Sequence, residues 1–189
     1  TFSVPKSVSV AWALAGDATK ARIHAAHRRA IEQTIAYAEQ RVFATRTGKA
    51  GAISLDVRGI VGAAFDHWDS RAGDPQLHTH VVVLNRVQAI ADDRWRTLDS
   101  KTLFRHTVAL SELYNGLLQD ELTRDLGWGW EAELRPRATE LIWEVEGVPK
   151  VLRDEFSQRS RAIRGSTDET IERFLATHGR RPTPTEILR

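Results

Sequence analysis

The spacing of apolar positions changes several times along the chain, and each change marks a different kind of element. In "TFSVPKSVSVAWALAG" a short extended piece leads into a helix. Ser3 is its predicted cap, Pro5 lies in its first turn, and Val8, Ala11, Trp12 and Ala15 share a face. From Asp17 to Val42, the positions Ile23, His27, Ala30, Ile31, Ile35, Ala38 and Val42 recur at helical intervals and predict one long amphipathic helix. Residues 45–52 read as a glycine-bearing basic loop. After Ile53 the period drops to two, so that Val57, Gly59, Val61, Ala63, Phe65 and His67 line one face of a single extended run. A second run places His78, His80, Val82 and Leu84 on one face and Thr79, Val81, Val83 and Asn85 on the other. Gly-Asp-Pro in the connection between them is turn chemistry, which predicts antiparallel pairing.

A turn and a short strand follow in "DDRWRTLD", and the helical period returns at Asp99 or Ser100. Leu110, Leu113, Tyr114, Leu117, Leu118 and Leu122 then form a stripe that stops at Gly127. "GWGWEAELRPRATELIWEVEGVP" predicts a hairpin of short strands. Residues 149–164 read as a helix ended by Gly165, and Ser166 with Glu169 as a capping box that starts another helix, to about His178. "RRPTPTEILR" reads as a linker. Strands and helices do not alternate regularly, so the predicted class is α+β, an antiparallel sheet with flanking helices. Residues 1–165 form the predicted domain, and residues 166–189 a helix and linker toward a following one.

Composition narrows this picture only a little. A chain of 189 residues with 41% hydrophobic and 28% charged positions is ordinary globular protein, with no apolar run long enough to cross a bilayer. The absence of cysteine excludes disulfides and thiolate ligands, leaving His, Asp and Glu for any metal. It also fits a cytoplasmic location. Net charge is only +2, yet 22 of the 27 basic residues are arginine, whose planar fork suits phosphates and stacked bases. There is no methionine, and the chain reads as a piece of a longer protein that starts in mid-sequence.

The candidate chemistry lies in the histidines. Three of the seven fall within the fourteen residues from His67 to His80. His78 and His80 alternate onto the same strand face, about 6.5 Å apart at ~3.3 Å per residue, and His67 ends the neighbouring strand. Three imidazoles without a fourth protein ligand form an open site, the pattern of a catalytic rather than a structural metal. Imidazole suits zinc, copper, nickel, iron or manganese, and the sequence does not choose among them. A lone buried histidine is more often a hydrogen-bonded core residue, and His24, His27, His106 and His178 read as surface or core residues. Lys6, Ser7, Arg71 and Arg86 flank the segment as candidate contacts to a phosphate backbone.

Five stretches, "TFSVPKSVSVAWALAG", "FDHWDSRAGDPQLHTHVVVLN", "WRTLDSKTLF", "LYNGLLQDELTRDLGW" and "FSQRSRAIR", occur in this order, spanning Thr1 to about Arg164. Together they resemble the relaxase domain of MobF-type conjugative relaxases, members of the HUH endonucleases. The resemblance implies a palm-like α+β fold, here without its first strand and so with a sheet edge open. It implies metal-assisted nicking of single-stranded DNA at an origin of transfer, by a tyrosine that ends as a 5′-phosphotyrosine. It implies His67, His78 and His80 as ligands of a divalent ion such as magnesium, manganese or zinc, and Lys6, Ser7, Arg71 and Arg86 as DNA contacts. The implied partners are the origin strand, an adjacent hairpin, other relaxosome proteins and a helicase domain in the same polypeptide.

The family's tyrosines and a supporting acidic residue precede the TFS motif, so they are expected upstream of Thr1. Tyr37 and Tyr114 sit on helices as packing residues. Asp66 should face away from His67, while Asp69 and Asp74 are candidate outer partners of the ligands. Two alternatives remain open on the residues alone: a metal-dependent phosphodiesterase using bound water, and an origin-DNA binding module without catalysis.

Overall fold

The computed structural model describes residues 1–134, 141–183 and 186. Among these residues it is an α+β arrangement of three antiparallel sheets and five α-helices. The first sheet has the order β1 (Phe2–Ser3), β5 (Pro75–Val83), β4 (Gly62–Asp69), so β4 forms one edge among the described residues. Phe65 pairs with His80, Asp66 with Thr79 and His67 with His78, and the register shifts between His67 and Asp69. On the other side of β5, Phe2 pairs with Thr79 and Ser3 with His78. The antiparallel hairpin read from the alternation is therefore present, in the register that brings the histidines together.

The single extended run predicted from Ile53 to His67 is two strands in two sheets. Gly59 takes a left-handed φ of 71°, which ends β3 (Ile53–Arg58) before β4 begins. A period-two pattern continues across such a break because neither side of it is helical. Nor is the glycine-bearing basic stretch all loop. It contributes β2 (Ala44–Thr47) before a single 3-10 turn at Lys49–Gly51. The second sheet orders β2, β3, β6 (Val87–Ala89) and β7 (Trp95–Arg96). Its small core is Ala38, Val42, Phe43, Val57, Val87 and Leu98.

The larger core lies between the first sheet and the helices. Helix α1 (Lys6–Leu14) is preceded by Pro5 at the capping position, while the predicted cap, Ser3, is committed to β1. Helix α2 (Asp17–Arg41) buries Ile23, Ala26, His27, Ala30, Ile31, Thr34 and Ala38, close to the predicted stripe. Helix α3 (Ser100–Leu126) begins where Asp99 accepts a hydrogen bond from the Lys101 amide and ends at left-handed Gly127. Leu77 of β5 packs with Val8, Ile23, Ala26, Tyr114, Leu118 and Leu122 in one cluster. Through this cluster α1, α2 and α3 pack on one face of the first sheet, and His67 and His80 on its other face are exposed among the described residues.

Strands β8 (Trp130–Leu134) and β9 (Leu141–Val145) form the predicted hairpin. The C-terminal helices divide at a different place from the one predicted. Helix α4 (Lys150–Glu155) stops before Ser157, and helix α5 (Gln158–His178) runs unbroken through Gly165 and Ser166. One interior glycine costs a helix only about 1 kcal/mol, less than the surrounding turns recover. What starts α5 is a cap from elsewhere. The Asp74 carboxylate accepts the Gln158 and Arg159 amides at 3.1 and 3.0 Å. Half of the predicted linker, residues 184, 185 and 187–189, lies outside the described residues. No described helix is long and apolar enough to cross a membrane.

Candidate metal centre and nucleic-acid contacts

Strand alternation puts His67, His78 and His80 on the face of the first sheet opposite the Leu77 core, and the register makes them neighbours. Their ring centroids form a nearly equilateral triangle, with separations of 5.1 Å (His67–His78), 5.0 Å (His67–His80) and 5.1 Å (His78–His80). An ion held tetrahedrally at metal–nitrogen distances of ~2 Å places three imidazole centroids about 5 Å from one another. No group of three or more His, Asp or Glu among the described residues already has its donor atoms gathered on one point. The ring spacing set by the strand register nonetheless matches that of such an ion's ligands.

The hydrogen bonds favour the same reading. His78 Nδ1 lies 2.8 Å from the Gln76 carbonyl. A carbonyl only accepts, so neutral His78 carries its proton on Nδ1 and leaves the Nε2 lone pair free. His80 Nδ1 lies 2.8 Å from Thr1 Oγ1, which directs its Nε2 outward in the same way. Partial desolvation and then the two neighbouring imidazoles lower the pKa of His80, favouring the neutral form that a metal ion requires. Beside the histidines, Phe65 is 54% and Val82 59% exposed, an apolar border to the imidazole cluster.

The four predicted DNA contacts are placed in four different settings. Arg71 lies exposed in the turn between β4 and β5 and makes no hydrogen bond or ion pair among the described residues. Lys6 is half-buried, donating to the Pro75 carbonyl at 2.9 Å. Desolvation outweighs the attraction of Asp74 and Glu144 and lowers its pKa. It shares a polar cavity of about 460 Å³ with Ser70, Asp74, Gln76 and Arg159. Ser7 overturns its prediction. It is fully buried, its amide donates to Glu144 at 2.8 Å, and its hydroxyl accepts the Val145 amide at 2.7 Å. It ties α1 to β9 and presents nothing to a ligand.

Arg86 is exposed and lies three residues beyond the end of β5, after a turn in which its amide donates to the Leu84 carbonyl at 2.7 Å. It lines a groove of about 490 Å³ with Arg46 and Arg96. Arg46 pairs with Asp99 at 2.6 Å and Arg96 with Asp92 at 2.6 Å, while Arg86 has no carboxylate partner among the described residues.

The two described tyrosines lie away from the imidazole cluster. Tyr37 is on the exposed side of α2, and Tyr114 is buried on α3 with its hydroxyl 2.6 Å from His27 Nδ1. Asp66 faces away from His67 as alternation requires and bonds Thr79 and His24. Asp74 caps α5 rather than supporting a histidine. Burial would raise its pKa, but the Arg159 and Gln158 amides, with Lys6 and Ser70, hold it below the usual carboxylate range. Sequence reasoning missed the hydrogen-bonded set of half-buried Asp66 with buried Thr79 and His27. Its one signal was a threonine and a histidine at positions where the pattern called for apolar residues.

A family model for the TrwC relaxase matches residues 1–188. Two multifunctional conjugation proteins TraI, from Escherichia coli and its strain K12, are 38% and 33% identical over 176 and 179 residues. Each match takes in 89% of this chain but 9% of the relative, so the chain spans about a tenth of those proteins. Among solved structures, the conjugative relaxase TrwC with oriT DNA in a metal-bound form is 30% identical, with a TM-score of 0.74. That match covers 99% of this chain and 60% of the other. TrwC with a 27-mer DNA comprising the recognition hairpin and the cleavage site gives a TM-score of 0.71 at 30% identity, covering 99% and 61%. The chain belongs to the TrwC relaxase family.

Proposed function

We propose that this chain is the metal-bearing part of a conjugative relaxase that nicks single-stranded DNA at an origin of transfer. The observation that carries the reading is the triangle of His67, His78 and His80 on the sheet face opposite the Leu77 core. The site fits a divalent ion, which when bound would act as a Lewis acid on the scissile phosphate. A copper-bound form of TrwC with oriT DNA supports a metal without fixing which ion acts here. The three imidazoles hold that ion, and the Gln76 carbonyl keeps His78 turned toward it. Arg71 and Lys6, at the turn end of the hairpin, contact the DNA backbone nearby, and Arg86 contacts a more distant stretch or the adjacent hairpin.

The nucleophile is a tyrosine from outside these 189 residues, because Tyr114 is buried against His27 and Tyr37 lies on the outer side of α2. Its phenolate oxygen forms a bond to phosphorus, and the bond to the 3′ oxygen breaks. That oxygen takes up a proton, leaving a free 3′-hydroxyl and a 5′-phosphotyrosine. Desolvation raises the pKa of Tyr114, which further removes it from this role. The 189 residues by themselves therefore bind origin DNA and metal without cutting. The reaction takes place in the cytoplasm, within a longer polypeptide that carries a helicase and meets other relaxosome proteins. The family match over residues 1–188 and the unbroken α5 support a relaxase unit that continues past residue 165, with α5 part of it.

The test uses the parent polypeptide, a labelled single strand carrying the origin of transfer, and divalent metal, resolved on a denaturing protein gel. A slow-migrating protein–DNA adduct that disappears with EDTA and with His78→Ala/His80→Ala is the expected result. Cleavage without an adduct would assign the attack to bound water instead. DNA that is bound but left whole with every metal would leave only a binding module.

A further inference from the structure

We propose that the hydroxyl of Thr79, held by His27 and Asp66 on the reverse of the sheet, is the positioning residue of the three-histidine centre. The inference rests on the metal reading above. Thr79 is the residue between His78 and His80, and its side chain is fully buried on the opposite face. Its Oγ1 lies 2.7 Å from Asp66 Oδ1 and 2.8 Å from His27 Nε2.

The direction of these bonds follows from the chemistry. An ionised carboxylate only accepts, so Thr79 donates to Asp66. Its oxygen then accepts from His27, whose proton is on Nε2. His27 Nδ1 is left as an acceptor, and the Tyr114 hydroxyl donates to it at 2.6 Å. Asp66 is held in turn by His24 Nε2 at 3.0 Å and by Arg28 at 3.4 Å. The chain of bonds thus fastens Thr79 to α2, α3 and β4 at once.

Each member is placed where a small movement reaches a ligand. The Cα atoms of His78 and His80 are both ~3.8 Å from that of Thr79, and that of His67 is ~3.8 Å from that of Asp66. The Thr79–Asp66 bond therefore joins the residue between two ligands to the residue beside the third. Strand pairing alone sets the register, but it leaves β4 and β5 free to shear by tenths of an ångström. Such looseness matters to an ion needing three nitrogens at ~2 Å. Burying a hydroxyl and an imidazole where apolar side chains would fit, with half-buried Asp66 beside them, costs free energy unless every bond is made. Here every one of those bonds is made.

Cobalt(II) is a suitable probe, because its visible absorption reports both affinity and coordination geometry. The chain is titrated with Co²⁺, and metal-free thermal unfolding is recorded beside it. Thr79→Val should weaken Co²⁺ binding by about 10–100-fold, the usual range for partners that orient metal ligands, and alter the spectrum. Thr79→Ser, which keeps the oxygen, should stay close to the parent in both. His27→Gln keeps a donor at the position of Nε2 and should also bind, whereas His27→Leu should weaken binding as Thr79→Val does. A merely structural role would lower unfolding temperature and leave the affinity and spectrum of the folded protein alone. A parent chain that bound no Co²⁺ would defeat the metal reading itself. A parent chain that bound, with folded Thr79→Val or folded His27→Leu matching it in affinity and spectrum, would overturn only the positioning role. Equal weakening by Thr79→Ser would overturn it too, because the hydroxyl would then not be the cause.

Discussion

The two faces of β5 differ as much as two regions of one protein can. Toward the helices, Leu77 and Thr79 are fully buried, and the polar groups are hydrogen-bonded into a closed set. Toward the opposite face, His78 and His80 alternate with them, with lone pairs directed outward beside exposed Phe65 and Val82. The buried face carries stability and the open face carries chemistry, although the residues are sequence neighbours. Changes in front should therefore act on metal binding with little effect on stability, whereas changes behind should act on both, through the fold and through the placing of the ligands.

The largest effect is expected in front. His78→Ala/His80→Ala should abolish Co²⁺ or Mn²⁺ binding in the isolated chain and adduct formation in the parent protein. Exposed substitutions of this kind usually change stability by no more than about 0.5 kcal/mol, so unfolding temperature should hardly move. A large drop in that temperature would break the division between the faces.

Behind the sheet the expected signature is pH-dependent stability. Burial is the main reason that the pKa of His27 falls from 6.5 to about 4, and neighbouring His24 adds to it. In the unfolded chain His27 binds a proton below about 6.5, while the folded form resists until about 4. Between those values the unfolded state holds more protons, so stability rises with pH there. Its contribution is complete above pH 6.5 and is lost progressively on acidification, by about 3 kcal/mol in total at 1.36 kcal/mol per unit. Urea unfolding at a series of pH values should show this slope in the parent chain and its removal in His27→Gln. The same slope in both would assign it to other groups.

This asymmetry also explains what could be read in the sequence. Alternation along residues 75–83 was enough to predict which face His78 and His80 share, since period two is a local property of extended backbone. The long helices were legible for the same reason, with their stripes and the Asp99 and Gly127 ends in plain view. What failed depended on contacts across the chain. Gly59 turns a continuous pattern into two sheets, and the cap of α5 comes from Asp74, 84 residues before Gln158. Ser7 looked available to DNA because its neighbour is a lysine, but α1 turns its hydroxyl into the core. The roles of His27 and Thr79 could not be foreseen, because hydrogen-bond partners 52 residues apart leave no periodic trace.

The hairpin turn joins the two faces and sharpens the comparison at intermediate size. Asp74→Ala removes the carboxylate that caps α5 and leaves two amides unpartnered, a loss of about 1–2 kcal/mol on the scale of helix caps. Its depressed pKa means the bond is present above the ordinary carboxylate range and is lost as pH falls below it. Hydrogen exchange should show faster exchange in the first turn of α5, with the Co²⁺ affinity of the histidines preserved. If metal affinity fell as well, the turn would be part of the positioning apparatus, and the buried network could not be credited with all of it.

The smallest effects separate the near and far ends of the hairpin. Arg71 sits at the turn beside the histidines and Arg86 beyond the other end of β5, in the groove with Arg46 and Arg96. Each contact to a single-strand phosphate steepens the salt dependence of log affinity by ~0.7. Arg71→Ala and Arg86→Ala should each reduce that slope by about this much if both touch the backbone. A short strand covering only the cleavage site should register Arg71→Ala alone, since it does not reach the distant groove. A strand that includes the hairpin should register both. If Arg86→Ala changed the slope for the short strand, the single strand would run the length of the sheet, and the open face would serve as a track for DNA as well as a metal site.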